Sequence, residues 1–407
     1  MKFDINEIIA KFRYNPGSVK KNYDGKTDVY LAKVSYRYEY FKRILSIALV
    51  IVTLALLFSG NLTYNKLYYL AKDVKLAGDY VNSVHDTITY NAGNSQSFAT
   101  YREGLVVASR ERMSIYSAGG RELFSSNHTY GNPKLVSSER YVLLYDVGGK
   151  QFSLYNSFSQ VNGAVLDYSI YGASLANTGD FALITKSEKY NSIVRVYKQN
   201  GDKYDYNFRD GYVTSVSISE DGARLAVALS FAEGSNYRTE IRVYKVGSSD
   251  YQMATSTISG IPYEIKIVEG GNIIAVGKNG INVFSSSMAL IGEYLSENEI
   301  YLYHFGEDNI AIVSSHGARD KTTVLLLNKR GKVEKTHTID QRALDIALAD
   351  GYIFVQHLGG FERISTALGT SEKHDIVANE FKMLVYDKNT LVVCGDSYAK
   401  FLSFGNK

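Results

Sequence analysis

The sequence predicts an all-β fold of eight four-stranded sheets closed into a ring, an eight-bladed β-propeller, preceded by one transmembrane α-helix and a short cytoplasmic tail. Three observations lead there. The 407 residues hold 34 glycines and 34 tyrosines but three prolines and no tryptophan, a balance that favours many short strands over long helices. A turn followed by a short apolar run recurs through most of the chain at a steady spacing. One uncharged stretch, "ILSIALVIVTLALLFSGNL" at residues 44–62, stands apart near the amino terminus.

The tail comes first. Lys2, Lys11, Arg13, Lys20, Lys21, Lys26, Lys33, Arg37, Lys42 and Arg43 face five acids over residues 1–43, whereas the remainder of the chain is nearly neutral. The overall pI near 8.5 therefore belongs to the tail and is no sign of a nucleic-acid partner. In "DINEIIAKF", Ile5, Ile8, Ile9 and Phe12 fall at i, i+3, i+4 and i+7 behind a capping-box-like Asp4 and Glu7, the pattern of a short amphipathic helix. Three readings stand for it: a helix on the inner leaflet, a docking helix for a partner's groove, or a frayed tail. The "NPGS" turn at Asn15 ends it.

Residues 44–62 read as a transmembrane helix, since about 19 residues at about 1.5 Å each span roughly 28 Å of hydrocarbon. A buried core helix would rarely run so long without a charge. A cleaved signal peptide would begin earlier, and no cysteine follows for a lipid anchor. Lys42 and Arg43 abut the stretch, which places the amino terminus in the cytoplasm. Residues 63–84 become a stalk and linker, and residues 85–407 an extracytoplasmic propeller at the plasma membrane. Cys394 is the only cysteine, and a large external domain without disulfides fits a bacterial envelope.

The repeat fixes the ring. Its anchors are Leu105, Val142, Phe181, Leu225, Ile273, Ile310, Ile353 and Leu391, roughly 37 to 48 residues apart and about 41 on average, the period of a four-stranded blade. An alternating strand follows each, several closing on an aromatic: Tyr116, Tyr155, Tyr197, Tyr244 and Phe284. Each unit is a meander that cannot bury both faces alone, and radial stacking solves this. Eight anchors imply eight blades, or seven if a terminal unit is incomplete. The chain ends on a third strand, "KFLSF", so the segment "HDTITYN" at residues 85–91 is expected to supply the missing fourth strand. The aromatic closing residues are expected to pack between blades. Most other tyrosines are expected to pack as well, and a few to line a rim that binds peptide or glycan.

At "SEDGARLAVA" (residues 219–228) the chain resembles the WD40-like repeats of periplasmic propellers, whose Ser-Pro-Asp-Gly turn precedes an apolar strand; Glu220 stands where the proline would. Its layout is similar to an uncharacterised family of single-pass membrane-anchored propellers of Gram-positive bacteria. That resemblance implies a fold and a topology and brings no catalytic motif.

Chemistry-bearing motifs are sparse. The seven histidines (His85, His128, His304, His316, His337, His357 and His374) show no metal-ligand spacing, and "GDKYDYN" at Gly201 lacks calcium-loop spacing. No nucleophile elbow or phosphate loop is present, and Cys394 sits in the apolar run "LVVCG". The expectation is therefore no catalytic, cofactor-binding or metal residue, and a non-enzymatic module binding a protein or cell-envelope polymer. A transmembrane sensor or assembly factor, and a glycan-active enzyme, are the alternatives.

Overall fold

The computed structural model describes residues 40–53, 87–90, 96–102, 104–117, 120–306, 309–314, 321–367, 369–375 and 380–404. The chain divides into two units, Met1–Ala77 and Gly78–Lys407.

In the first unit, residues 40–53 form a helix whose every residue is exposed, with Phe41, Leu49 and Ile51 among its large apolar side chains. Its polar interruptions bond back into the helix: Ser46 Oγ donates to Lys42 O at 2.9 Å and Thr53 Oγ1 to Leu49 O at 2.7 Å. Among the described residues no helix is long and apolar enough to cross a membrane. Residues 54–62 of the expected span, and Ile5, Ile8, Ile9 and Phe12, lie outside the described residues.

The second unit is a ring of eight antiparallel sheets, each a meander of four principal strands. Blades 1 to 8 run over residues 97–127, 133–165, 172–208, 212–253, 262–295, 300–339, 343–375 and 380–403. Within each, the first strand is innermost: first strands of neighbouring blades lie against one another, including that of blade 8 against that of blade 1, and those of blades 5 and 6 meet through Tyr303, which donates to Glu264. All eight anchors predicted from the repeat fall on second strands, and none is more than 1 % exposed. A strand sheathed on both edges by its own sheet and on both faces by adjacent blades has no wet side, so it reads as a continuous apolar run.

Closure follows from the missing strand. Blade 8 has only three strands of its own, Glu380–Asp387, Thr390–Gly395 and Tyr398–Ser403, and Thr87–Thr89 becomes its fourth, pairing Thr87 with Lys400, Ile88 with Ala399 and Thr89 with Tyr398. Ile88 is buried, and the Tyr90 hydroxyl lies 2.7 Å from both Gly395 O and Tyr398 O. Eight apolar clusters, one at each junction between adjacent blades, form the core. The cluster between blades 8 and 1 holds Ile88, Tyr90, Leu105, Tyr116 and Cys394. Tyr116, Tyr155, Tyr197 and Tyr244 are all buried between blades, as their third-strand positions require.

The quoted "SEDG" is the turn between the first two strands of blade 4. Ser219 Oγ donates to Asp221 Oδ1 at 2.5 Å and accepts from Arg224 N at 2.9 Å, while Gly222 adopts φ +69°. A side chain at 222 would stand 2.2 Å from Asp180 Oδ2 of blade 3, so only glycine lets the two blades close up here.

Candidate functional site

The meander gives the ring two unlike faces. The upper face carries the connections between blades and the turns between second and third strands; the lower face carries the other turns. Among the described residues of the ring, the exposed large apolar side chains lie on outer strands or on the upper face, and none lies in a lower-face turn. Tyr171, Tyr212, Tyr237, Ile261, Tyr263, Tyr301, Leu344 and Leu358 make up the upper-face set.

Three of these share a backbone cause. In blades 5, 6 and 7 the pairing of first and second strands slips by one residue near the start, between Pro262 and Glu264, Ile300 and Leu302, and Ala343 and Asp345. The extra residue in each case is Tyr263, Tyr301 and Leu344. A bulge leaves that residue unpaired and re-aims it, which is why these three are 43 %, 36 % and 44 % exposed beside buried Pro262, Ile300 and Ala343. Blade 4 carries the same slip at Thr214 and blade 8 at Phe381. Blades 1 to 3 pair without one. The bulges thus mark one arc of the ring.

Polar groups inside the arc are tightly coupled. The Tyr263 and Tyr303 rings are stacked at 6.4 Å; Tyr263 donates to Glu299 Oε1 and Tyr303 to Glu264 Oε2, each at 3.1 Å. Burial holds the Glu264 carboxyl above its ordinary range, against the opposing pull of Tyr303, Lys266 and Lys134. Burial likewise raises Tyr303, and the Glu264 charge adds to it. His304 accepts from Leu348 N through Nδ1 at 3.1 Å, and burial with the nearby Lys266 lowers it to about 4. Lys382 Nζ meets Asp345 Oδ2 at 2.6 Å. On blade 3, Lys189 and Arg209 both stand over the Tyr190 ring, at 5.5 and 5.6 Å, and Lys186 over Tyr171.

These groups stabilise one another and assemble no nucleophile with a base. Among the described residues no group of three or more His, Cys, Asp or Glu could hold a metal ion. Cys394 is fully buried, and that burial pushes its thiol well above the ordinary range. What the surface offers instead is a set of large, partly exposed rings and aliphatic groups held by rigid strands, the composition of a protein-contact surface. Sequence reading missed this arc. An apolar residue does precede a charged one at the start of units 5, 7 and 8, Tyr263-Glu264, Leu344-Asp345 and Phe381-Lys382, but Tyr301 is followed by Leu302, so the pattern marks no slip without the register of the partner strand.

Comparison with known proteins agrees with this architecture. A family described as a family of unknown function (DUF5711) matches residues 80–400. No curated protein matches the chain by sequence. Among solved structures, Saccharomyces cerevisiae Sqt1 is similar with a TM-score of 0.57 at 10 % identity, over 79 % of this chain and 100 % of that one. Chaetomium thermophilum Sqt1, solved bound to the N-terminus of the ribosomal protein L10, gives 0.54 at 10 % identity over 78 % and 99 %. BamB from Moraxella catarrhalis gives 0.52 at 12 % identity over 79 % and 99 %. At such identities the likeness is one of fold, and the fold is the WD40-like propeller.

Proposed function

We propose that this chain, which belongs to the DUF5711 family of unknown function, is a non-enzymatic binding module whose propeller is held outside the plasma membrane by one helix and engages a protein through its upper face. The observation that carries the reading is the arc of bulged side chains, Tyr263, Tyr301 and Leu344, exposed on one face only. Rings and aliphatic groups pre-positioned on strands give contact area with little ordering cost. The fold also supports it, since the Chaetomium Sqt1 propeller was solved holding a protein terminus.

The membrane part rests on the uncharged stretch at residues 44–62 behind Lys42 and Arg43. It is also supported by Ser46 and Thr53, which satisfy their hydroxyls within the helix and so need no water. A photo-crosslinking amino acid placed at 263, 301 or 344 in cell membranes is expected to trap one common protein, whereas the same probe at Asp221 or Gln199 on the lower face should not. Equal trapping from both faces, or none from the arc, would overturn the assignment. Protease protection of the amino-terminal tail in right-side-out vesicles tests the topology separately.

A further inference from the structure

A second recognition feature lies on the ring's perimeter, away from the upper-face arc. Outer strands of the blades have one unpaired edge. Beside blade 3 the outer strand of blade 4 is only the three residues Tyr251–Met253, which pair with Arg242–Tyr244, while Ile258–Ser259 pairs farther along the same edge, with Arg238 and Thr239. The wedge between Tyr251–Met253 and the outer strand of blade 3, Lys203–Phe208, opens as a groove of about 540 Å³.

All six residues of Lys203–Phe208 line that groove. Successive side chains of a strand point to opposite faces, so only a groove that follows the strand's edge can touch every one of them. The hairpin before the strand closes with Lys198 N donating to Asp202 O at 2.9 Å. Bonded pairs alternate in an antiparallel ladder, and the register pairs Val196 with Tyr204, Val194 with Tyr206 and Ser192 with Phe208. Those three residues therefore spend their backbone groups inside the sheet, and Lys203, Asp205 and Asn207 turn theirs toward the groove.

The side walls complete the picture. Tyr206 and Tyr244 rings meet at 4.6 Å, Tyr244 and Tyr251 at 5.3 Å, and the Arg242 guanidinium lies over Tyr251 at 5.0 Å. The charges are largely consumed locally: Asp205 is held by Arg195 through two 2.6 Å bonds, and Arg242 by Glu240 at 2.7 Å. An aromatic wall with internally neutralised charge offers little to a polyanion or polycation. A row of outward backbone donors and acceptors offers a great deal to an extended polypeptide.

We infer that the groove between blades 3 and 4 binds an extended peptide, which adds as a fifth strand to blade 3 along Lys203–Phe208 and places apolar alternate side chains against Tyr244 and Tyr251. About 20 Å of strand is available, enough for roughly six residues.

The test is selection of peptides from a random phage-displayed library on the full chain in detergent. Peptides with alternating apolar residues are expected to emerge and to slow amide exchange at Lys203, Asp205 and Asn207. Asn207→Pro removes one outward N–H that the sheet does not use, and it should weaken the selected peptides by about tenfold, while Asn207→Ala leaves them unchanged. A peptide N-methylated at alternate residues on its pairing edge needs no protein variant and should lose binding in the same way. Loss of binding in Tyr251→Ala is expected too. Protected amides elsewhere, indifference to both Asn207→Pro and N-methylation, or failure to select any alternating peptide would each overturn the inference. So would binding of a neutral oligosaccharide that depends on Tyr251 and not on the Asn207 amide.

Discussion

Replacing Ile88 by alanine probes ring closure at its thinnest point. The strand Thr87–Thr89 contributes three pairs, and Ile88, 1 % exposed, is its inward side chain against Leu105, Tyr116, Val392 and Phe401. Deleting three buried carbons costs about 2 kcal/mol in transfer free energy, and the cavity brings the total to about 3 kcal/mol. Cys394 lies fully buried in the same cluster and is the only cysteine of the chain, so its reaction with a maleimide or disulfide reagent reports opening of that junction. A loss of about 3 kcal/mol raises the open population, and hence the labelling rate under fast-reclosing conditions, by about a hundredfold. The thermal midpoint should fall by about 4 °C. Leu358→Ala, at a side chain 82 % exposed, serves as the control and should change neither quantity. If Ile88→Ala labels no faster than Leu358→Ala, the closing role of this strand is refuted.

Further outcomes follow from the same structure. Gly222→Ala should destabilise by about 2 kcal/mol or more, measured by denaturant midpoint, because φ +69° and the contact with Asp180 both oppose a side chain. His304, lowered to about 4 from an ordinary value near 6.5, binds its proton more readily when the chain is unfolded; its stabilisation is full above about pH 6.5 and falls by about 3 kcal/mol as the pH drops to about 4. His304→Asn should flatten that part of the stability profile, and an unchanged slope would show that another group governs it. Tyr301→Ala, at a bulged and partly exposed position, should move the denaturant midpoint by less than about 0.5 kcal/mol while reducing capture of the upper-face partner; a large stability loss would mark the tyrosine as a packing residue.

The strands that sequence reading located best are those with no wet side. The second strands of all eight blades each carry a buried apolar run, and its spacing implies eight blades, or seven if a terminal unit is incomplete. Third strands were legible through their aromatic ends, since a ring such as Tyr155 or Tyr197 fills the widening space between diverging blades. The candidate surface was less legible for a physical reason. A bulge is a one-residue slip between two strands, and a single strand read by itself does not reveal the register of its partner, so Tyr263 looks like an ordinary alternating residue. The groove depends on the shortness of Tyr251–Met253, which ends where "QMATSTISG" loses its alternation, and on a neighbouring blade that lies some 40 residues earlier in the chain. The resemblance to WD40-like repeats rested on one well-formed turn, and the structure places that turn on the face opposite the bulged arc.

The strand that completes blade 8 is also the first strand among the described residues. Any tension transmitted through the preceding residues is therefore delivered to Thr87–Thr89 before it reaches the rest of the ring. Three residue pairs, buried Ile88 and the anchored Tyr90 would bear that load, while seven blades built wholly from consecutive strands lie behind them in series. A protein pulled from its amino-terminal side would yield at the clasp first, uncovering the flank of blade 1 while the other sheets still hold.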